Sequence, residues 1–150
     1  MSGSRYFVIF VDDSSLYTWV FLMKSHSKLL DIYHTFAKMV DTQFSKPIKA
    51  FCSGNVLEYT QHNFNAIFKH YGIIPHLSCL GTSQQNGRAK CKLRHNLDIV
   101  RAFFLSTSIP TLFWGKATLT IVYTYNRLPT LILDNCTPHE RLFGSVPSTI

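Results

Sequence analysis

The sequence predicts a mixed α/β domain in which helices cover a small sheet. Two observations carry that expectation. Apolar runs rich in aromatic and β-branched residues alternate with stretches whose apolar residues recur at three- and four-residue steps. The resulting order, β-β-α-β-α-β-α-α, is that of helices packed on a sheet. Size permits it. The chain of 150 residues fits a single domain, 1–150, able to bury a real core, and 46% hydrophobic against 15% charged residues excludes a disordered tail.

Tyr6–Val11 is a continuous apolar run and reads as a buried strand. Asp12-Asp13-Ser14-Ser15 has turn chemistry, and Tyr17–Met23 reads as a second strand, so the pair forms an antiparallel hairpin. Ser25–Phe44 reads as a helix, with Leu29, Tyr33, Phe36, Val40 and Phe44 on one stripe and Pro47 as its stop. Ile48–Cys52 reads as a short strand and Ser53-Gly54-Asn55 as a turn. Thr60 caps a helix over Gln61–Tyr71 that turns Phe64, Ile67, Phe68 and Tyr71 inward and ends at Gly72. Ile73–Leu77 contains Pro75, so it reads as an edge strand or a short one. A helix then runs to about Leu105 with Ala89, Leu93, Leu97, Val100 and Phe104 as its buried stripe. Pro110 opens a last helix over Thr111–Arg127, stopped by Pro129, and the tail from Asp134 reads as loop.

Formal net charge is +7, which favours polyanionic partners such as nucleic acid. Lys and Arg are spread out except in 88–94, so the charge argument rests there. Cys52, Cys79, Cys91 and Cys136 form no CxxC, and Met1–Arg5 lacks the charged and apolar regions of a signal peptide. These features point to reduced thiols in an intracellular protein. No His/Cys spacing fits a zinc finger or knuckle. Leu112–Tyr125, the best rival for a membrane span, is broken by Lys116 and several threonines.

One stretch concentrates polar chemistry. Gln84, Gln85 and Asn86 offer amide donors and acceptors, and Gly87 permits backbone angles that other residues resist. Arg88, Lys90, Lys92, Arg94 and His95 follow on the helix. At 100° per residue, Lys90, Arg94 and Arg101 flank the buried stripe, while Arg88, Lys92 and His95 face outward. The bland reading is an amphipathic helix with a solvated basic face. The functional reading is a surface for phosphate.

Several segments resemble the integrase catalytic core of copia-type LTR retrotransposon Pol polyproteins. Tyr6–Val20 resembles that family's second and third strands. Ser53-Gly54-Asn55-Val56-Leu57-Glu58-Tyr59 is similar to its SDNGGEY segment, and Thr82–Lys92 to TPQQNGVAERK. Phe113-Trp114-Gly115-Lys116-Ala117, Asn126-Arg127-Leu128-Pro129 and Thr137–Gly144 resemble its later motifs in family order. The resemblance covers about residues 6–147. It implies an RNase H-like fold: a mixed sheet flanked by helices, here lacking the first strand. It also implies DNA integration by polynucleotidyl transfer, in which three carboxylates hold two divalent metals, Mg²⁺ or Mn²⁺. Hard cations of this kind want oxygen ligands.

The sequence departs from that pattern at each acidic position. The family's first aspartate precedes Tyr6, outside this chain. Asp12 and Asp13 match a turn that is not catalytic. The second aspartate position is Gly54, and the glutamate position is Lys90, with the family's interval of thirty-five intervening residues kept. Glu58 matches a non-catalytic glutamate, and Asp98 lies about 12 Å along the helix axis from Lys90. The expectation is therefore a degenerate core with no catalytic residues and no cofactor. Weak, non-specific DNA binding would fall to Gln84, Gln85, Asn86, Gly87, Arg88, Lys90, Lys92 and Arg94. Nuclear localisation would follow if the family role persists. A homodimer through helices is expected, and neither a membrane nor a small-molecule substrate. The alternatives are a protein-interaction module and a translated transposon remnant with no selected function.

Overall fold

The computed structural model describes residues 4–53, 62–77, 87–107 and 110–145. They form two compact units, one made of 1–22 with 88–150 and the other of 23–87.

In the first unit, β1 (Tyr6–Val11) and β2 (Thr18–Met23) pair as a two-stranded sheet. Their connection, Asp12–Tyr17, is too short for a parallel crossover, so they form the expected hairpin. Asp12 organises the turn. Its Oδ2 accepts from Ser14 Oγ at 2.6 Å, Ser15 N at 2.8 Å and Ser15 Oγ at 2.7 Å. Backbone bonds from Asp12 N to Tyr17 O and from Leu16 N to Asp12 O, each 2.9 Å, close it. Buried Val8 and Phe10 on β1 alternate with less buried neighbours, as a half-buried strand requires.

The hairpin meets the later helices of its unit. The long α3 (Gly87–Thr107) buries Val100. A 3₁₀ turn at Thr111–Phe113 leads into α4 (Trp114–Tyr125), which buries Gly115, Ala117, Thr118 and Val122 on one face. Gly115 lets α4 approach β2: a Cβ there would lie 2.9 Å from Leu22 Cδ1. Phe7 packs against Trp114 with ring centroids 6.2 Å apart.

The tail is not loop throughout. Pro138–Phe143 forms α5. Glu140 N donates to Thr137 Oγ1 at 3.0 Å and Thr137 N donates to Glu140 Oε2 at 2.7 Å, a reciprocal capping box. Pro138 occupies the first turn, and Gly144, at φ 69°, ends the helix in the left-handed region. Here the sequence expectation is corrected, because the Thr-Pro-x-Glu start signal outweighs the shortness of the segment.

In the second unit, Ser25 caps a 3₁₀ turn (His26–Lys28) that runs into α1 (Leu29–Phe44). Ser45, at φ 50°, closes α1 two residues before Pro47, so the left-handed cap rather than the proline is its stop. β3 (Ala50–Ser53) is followed by α2 (His62–Tyr71) and β4 (Ile74–Leu77). β3 and β4 pair in parallel, with Phe51 opposite Pro75. Among the described residues the expected sheet is thus present as two strand pairs. The Gly72 prediction holds: at φ +64° it terminates α2, with Ile73 N bonded to Phe68 O at 2.8 Å. Tyr33, fully buried, is the centre of this core. Its ring contacts Phe51 at 4.8 Å, Phe64 at 5.6 Å and Phe68 at 5.7 Å between centroids. One residue of the α1 stripe so joins α1, β3 and α2. The Thr60 cap lies outside the described residues.

Candidate nucleic-acid interface

The sequence-predicted site falls on the start of α3. Gly87 is the first helical residue, so Arg88, Ala89 and Lys90 complete its opening turn. The first turn of a helix carries unsatisfied N–H groups and the positive end of the helix dipole, an arrangement that favours anions. No acidic residue stands in that turn of α3 to offset it. Gln84, Gln85 and Asn86 lie outside the described residues, as do Gly54 and the side chains of Arg88, Lys90 and Lys92.

Further along α3 the side chains are placed. Cys91, Arg94, His95, Asp98 and Arg101 are all exposed. Arg94 and Arg101 thus stand in solvent rather than at the rim of the core. Arg101 forms an exposed ion pair with Asp98, Nη1 to Oδ1 at 3.6 Å. An exposed pair of that length contributes little to stability. His95 does not simply face outward, because its ring meets Tyr125 edge-on at 5.1 Å, which ties α3 to the end of α4.

Asp12 lies in the turn of the hairpin rather than in this stretch. Partial burial pushes its carboxyl up, but the hydrogen bonds from Ser14 and Ser15 outweigh burial and hold it below the ordinary carboxylate range. With its oxygen committed to three donors, Asp12 is a structural acid. Among the described residues no group of three or more His, Cys, Asp or Glu side chains is placed to hold a metal ion.

The Asn126-Arg127-Leu128-Pro129 motif has a structural role that spacing did not reveal. Asn126, buried at the end of α4, reaches the first residue of β2. Its Oδ1 accepts from Thr18 N at 3.0 Å and its Nδ2 donates to Thr18 O at 2.8 Å. Its own carbonyl accepts from His139 N at 2.9 Å. One residue therefore links β2, α4 and α5, through its side-chain amide to β2 and its backbone carbonyl to α5.

The architecture is that of a retroviral integrase catalytic core. The chain superposes on the simian T-cell lymphotropic virus intasome, solved in complex with PP2A regulatory subunit B56 gamma, with TM-score 0.72 and 14% identity over 96% of this chain and 50% of that one. Against the HTLV-2 integrase catalytic core domain, solved with magnesium in a trimeric form, the TM-score is 0.64 with 15% identity over 89% of this chain and 81% of that one. By sequence the chain is a relative of the retrovirus-related Pol polyproteins of plant transposons. It is 32% identical to that of transposon TNT 1-94 from Nicotiana tabacum over 89% of its length. It is 33% identical to that of transposon RE1 from Arabidopsis thaliana over 96% of its length, and 32% identical to that of RE2 from the same plant over 96%. The chain spans about a tenth of the length of these polyproteins, 10% in each case. No family model matches it. Among the described residues no helix is long and apolar enough to cross a membrane.

Proposed function

We propose that this chain is a single integrase-core domain of copia type, derived from the DNA-integration segment of a retrotransposon polyprotein, whose catalytic chemistry is lost. One observation carries the reading: the two acidic positions of the motif pattern that fall within the chain hold Gly54 and Lys90. Glycine offers no side-chain oxygen. Lysine offers an ammonium, which repels a dication and donates hydrogen bonds without accepting any. The residues at these positions therefore do not fit a pair of divalent metals.

The same substitution adds to what remains. An ammonium at position 90 joins Arg88, Lys92 and Arg94 on the opening turns of α3. Gln84, Gln85, Asn86 and Gly87 precede them. This set suits the phosphate backbone, which attracts without reading sequence. Weak, sequence-independent DNA binding is the retained property, and a nuclear location would accompany it.

Fluorescence titration of a labelled duplex across a salt series tests the binding. If four cations each neutralise a phosphate, log K falls against log salt with a slope of about −3 to −4. A variant with Lys90 and Lys92 both changed to Gln lowers the slope by about 2. Absence of affinity at low salt, or affinity indifferent to salt, would overturn the reading.

A further inference from the structure

β3 and β4 divide their side chains between two faces. Phe51 packs on Tyr33 and Phe68 in the core of its unit, and Ser53, two residues on, is buried on the same face. Ala50 and Cys52 therefore point the other way, because successive side chains of a strand alternate. The parallel register sets Ala50 opposite Ile74 and Cys52 opposite His76. All four are exposed. In-register neighbours on paired strands share a face, with their backbones about 4.8 Å apart. A thiol and an imidazole far apart in sequence are thus side by side on one open surface. Among the described residues neither side chain has a hydrogen-bond or ion-pair partner. No charged residue occurs over 50–53 or 74–77.

We propose that Cys52 and His76 form a two-residue binding site for a thiophilic d¹⁰ cation, Zn²⁺. Zinc takes thiolate sulfur at about 2.3 Å and imidazole nitrogen at about 2.0–2.1 Å, in a tetrahedral arrangement. Two such ligand atoms stand about 3.5 Å apart, a gap that side chains opposed on paired strands close by rotation alone. Water fills the other two positions, because among the described residues no third His, Cys, Asp or Glu joins the pair. Binding turns the Cys52 thiol into a thiolate and releases its proton to solvent, so affinity rises with pH. The donor set selects the ion. Sulfur and imidazole nitrogen suit a borderline-soft cation, and the absence of any carboxylate over 50–53 and 74–77 leaves Mg²⁺ without a hard anionic ligand. The rival pair is Cys91 and His95, four residues apart on α3. It lies in a run that also holds Arg88, Lys90, Lys92 and Arg94, whose charges oppose a cation. The uncharged strand pair is the better host.

The test is calorimetric titration of the full, reduced chain with Zn²⁺ alone. Cd²⁺ serves as a second probe, because its sulfur-to-metal band in the ultraviolet reports thiolate ligation. One ion binds per chain with release of a proton, and a large excess of Mg²⁺ does not compete. Cys52→Ser and His76→Ala each weaken zinc binding about tenfold or more. Cys52→Ser also removes the Cd²⁺ band, while Cys91→Ser leaves both signals unchanged. Cys52 and His76 are exposed, so circular dichroism of their variants remains that of the parent. Zinc binding that survives Cys52→Ser and His76→Ala would overturn the proposal, as would binding that Cys91→Ser abolishes. Competition by Mg²⁺, or no binding at zinc concentrations up to about 1 mM, would do the same.

Discussion

Replacing Asn126 by Ala removes the one side chain that satisfies both backbone groups of Thr18. Thr18 is only 2% exposed and Asn126 3%, so water does not reach the groups left behind. A buried donor or acceptor without a partner costs about 1–3 kcal/mol. Thr18 N–H and Thr18 C=O are both stranded, which gives a loss of about 2–6 kcal/mol. That is a large share of the roughly 5–15 kcal/mol a domain possesses. With a urea m-value of roughly 2 kcal/mol/M, the midpoint falls by about 1–3 M while the slope is unchanged. Asn126→Asp keeps the acceptor for Thr18 N but turns an oxygen against the Thr18 carbonyl, so it recovers little. The assay is urea unfolding followed by tryptophan fluorescence, because Trp19 adjoins Thr18 in sequence. A midpoint within about 0.25 M of the parent, equivalent to about 0.5 kcal/mol, would refute the argument that this amide is the link.

Two further outcomes follow from packing and charge. At Gly115 an added methyl meets only the end of the flexible Leu22 side chain, at 2.9 Å. Gly115→Ala should therefore fall within about 1 kcal/mol of the parent, since better helix propensity offsets the crowding, whereas Gly115→Leu should cost more than about 2 kcal/mol; thermal unfolding separates them. The carboxyl of Asp12 is held below its ordinary value by Ser14 and Ser15 against the upward push of burial, and Glu140 is held low by the backbone and side chain of Thr137. Groups lowered in this way contribute stability above their unfolded values, near 3.8 and 4.5, and lose it as pH falls through the folded ones. Stability should thus decline below about pH 4, and Asp12→Asn should flatten that decline; an unchanged acid profile would remove Asp12 from the account.

The elements with strong local signals were legible in the sequence. The Tyr6–Val11 run, the α1 stripe through Tyr33 and the Gly72 stop each state their structure within a few residues. α5 is the exception: Thr137, Pro138 and Glu140 are a start signal, but a six-residue helix gives too little periodicity to stand out, so the sequence there reads as loop. The Thr18–Asn126 link was not legible. It joins positions 108 residues apart, and no local rule relates them. Nor did spacing show that Lys116 and Arg127 lie over the Phe113 and Tyr123 rings, because helical steps fix the face and not the rotamers. For the candidate interface, the resemblance sets Lys90 where the family's motif has glutamate, and residue 90 falls in the opening turn of α3.

On the proposed reading the integrase-core frame persists without its chemistry. The most direct measurement incubates the purified chain with a processed donor end and target duplex in Mg²⁺ and in Mn²⁺, and resolves cut and joined products on a denaturing gel. The account predicts no product with either metal. Metal-dependent cutting or joining that disappears in Lys90→Ala would contradict it.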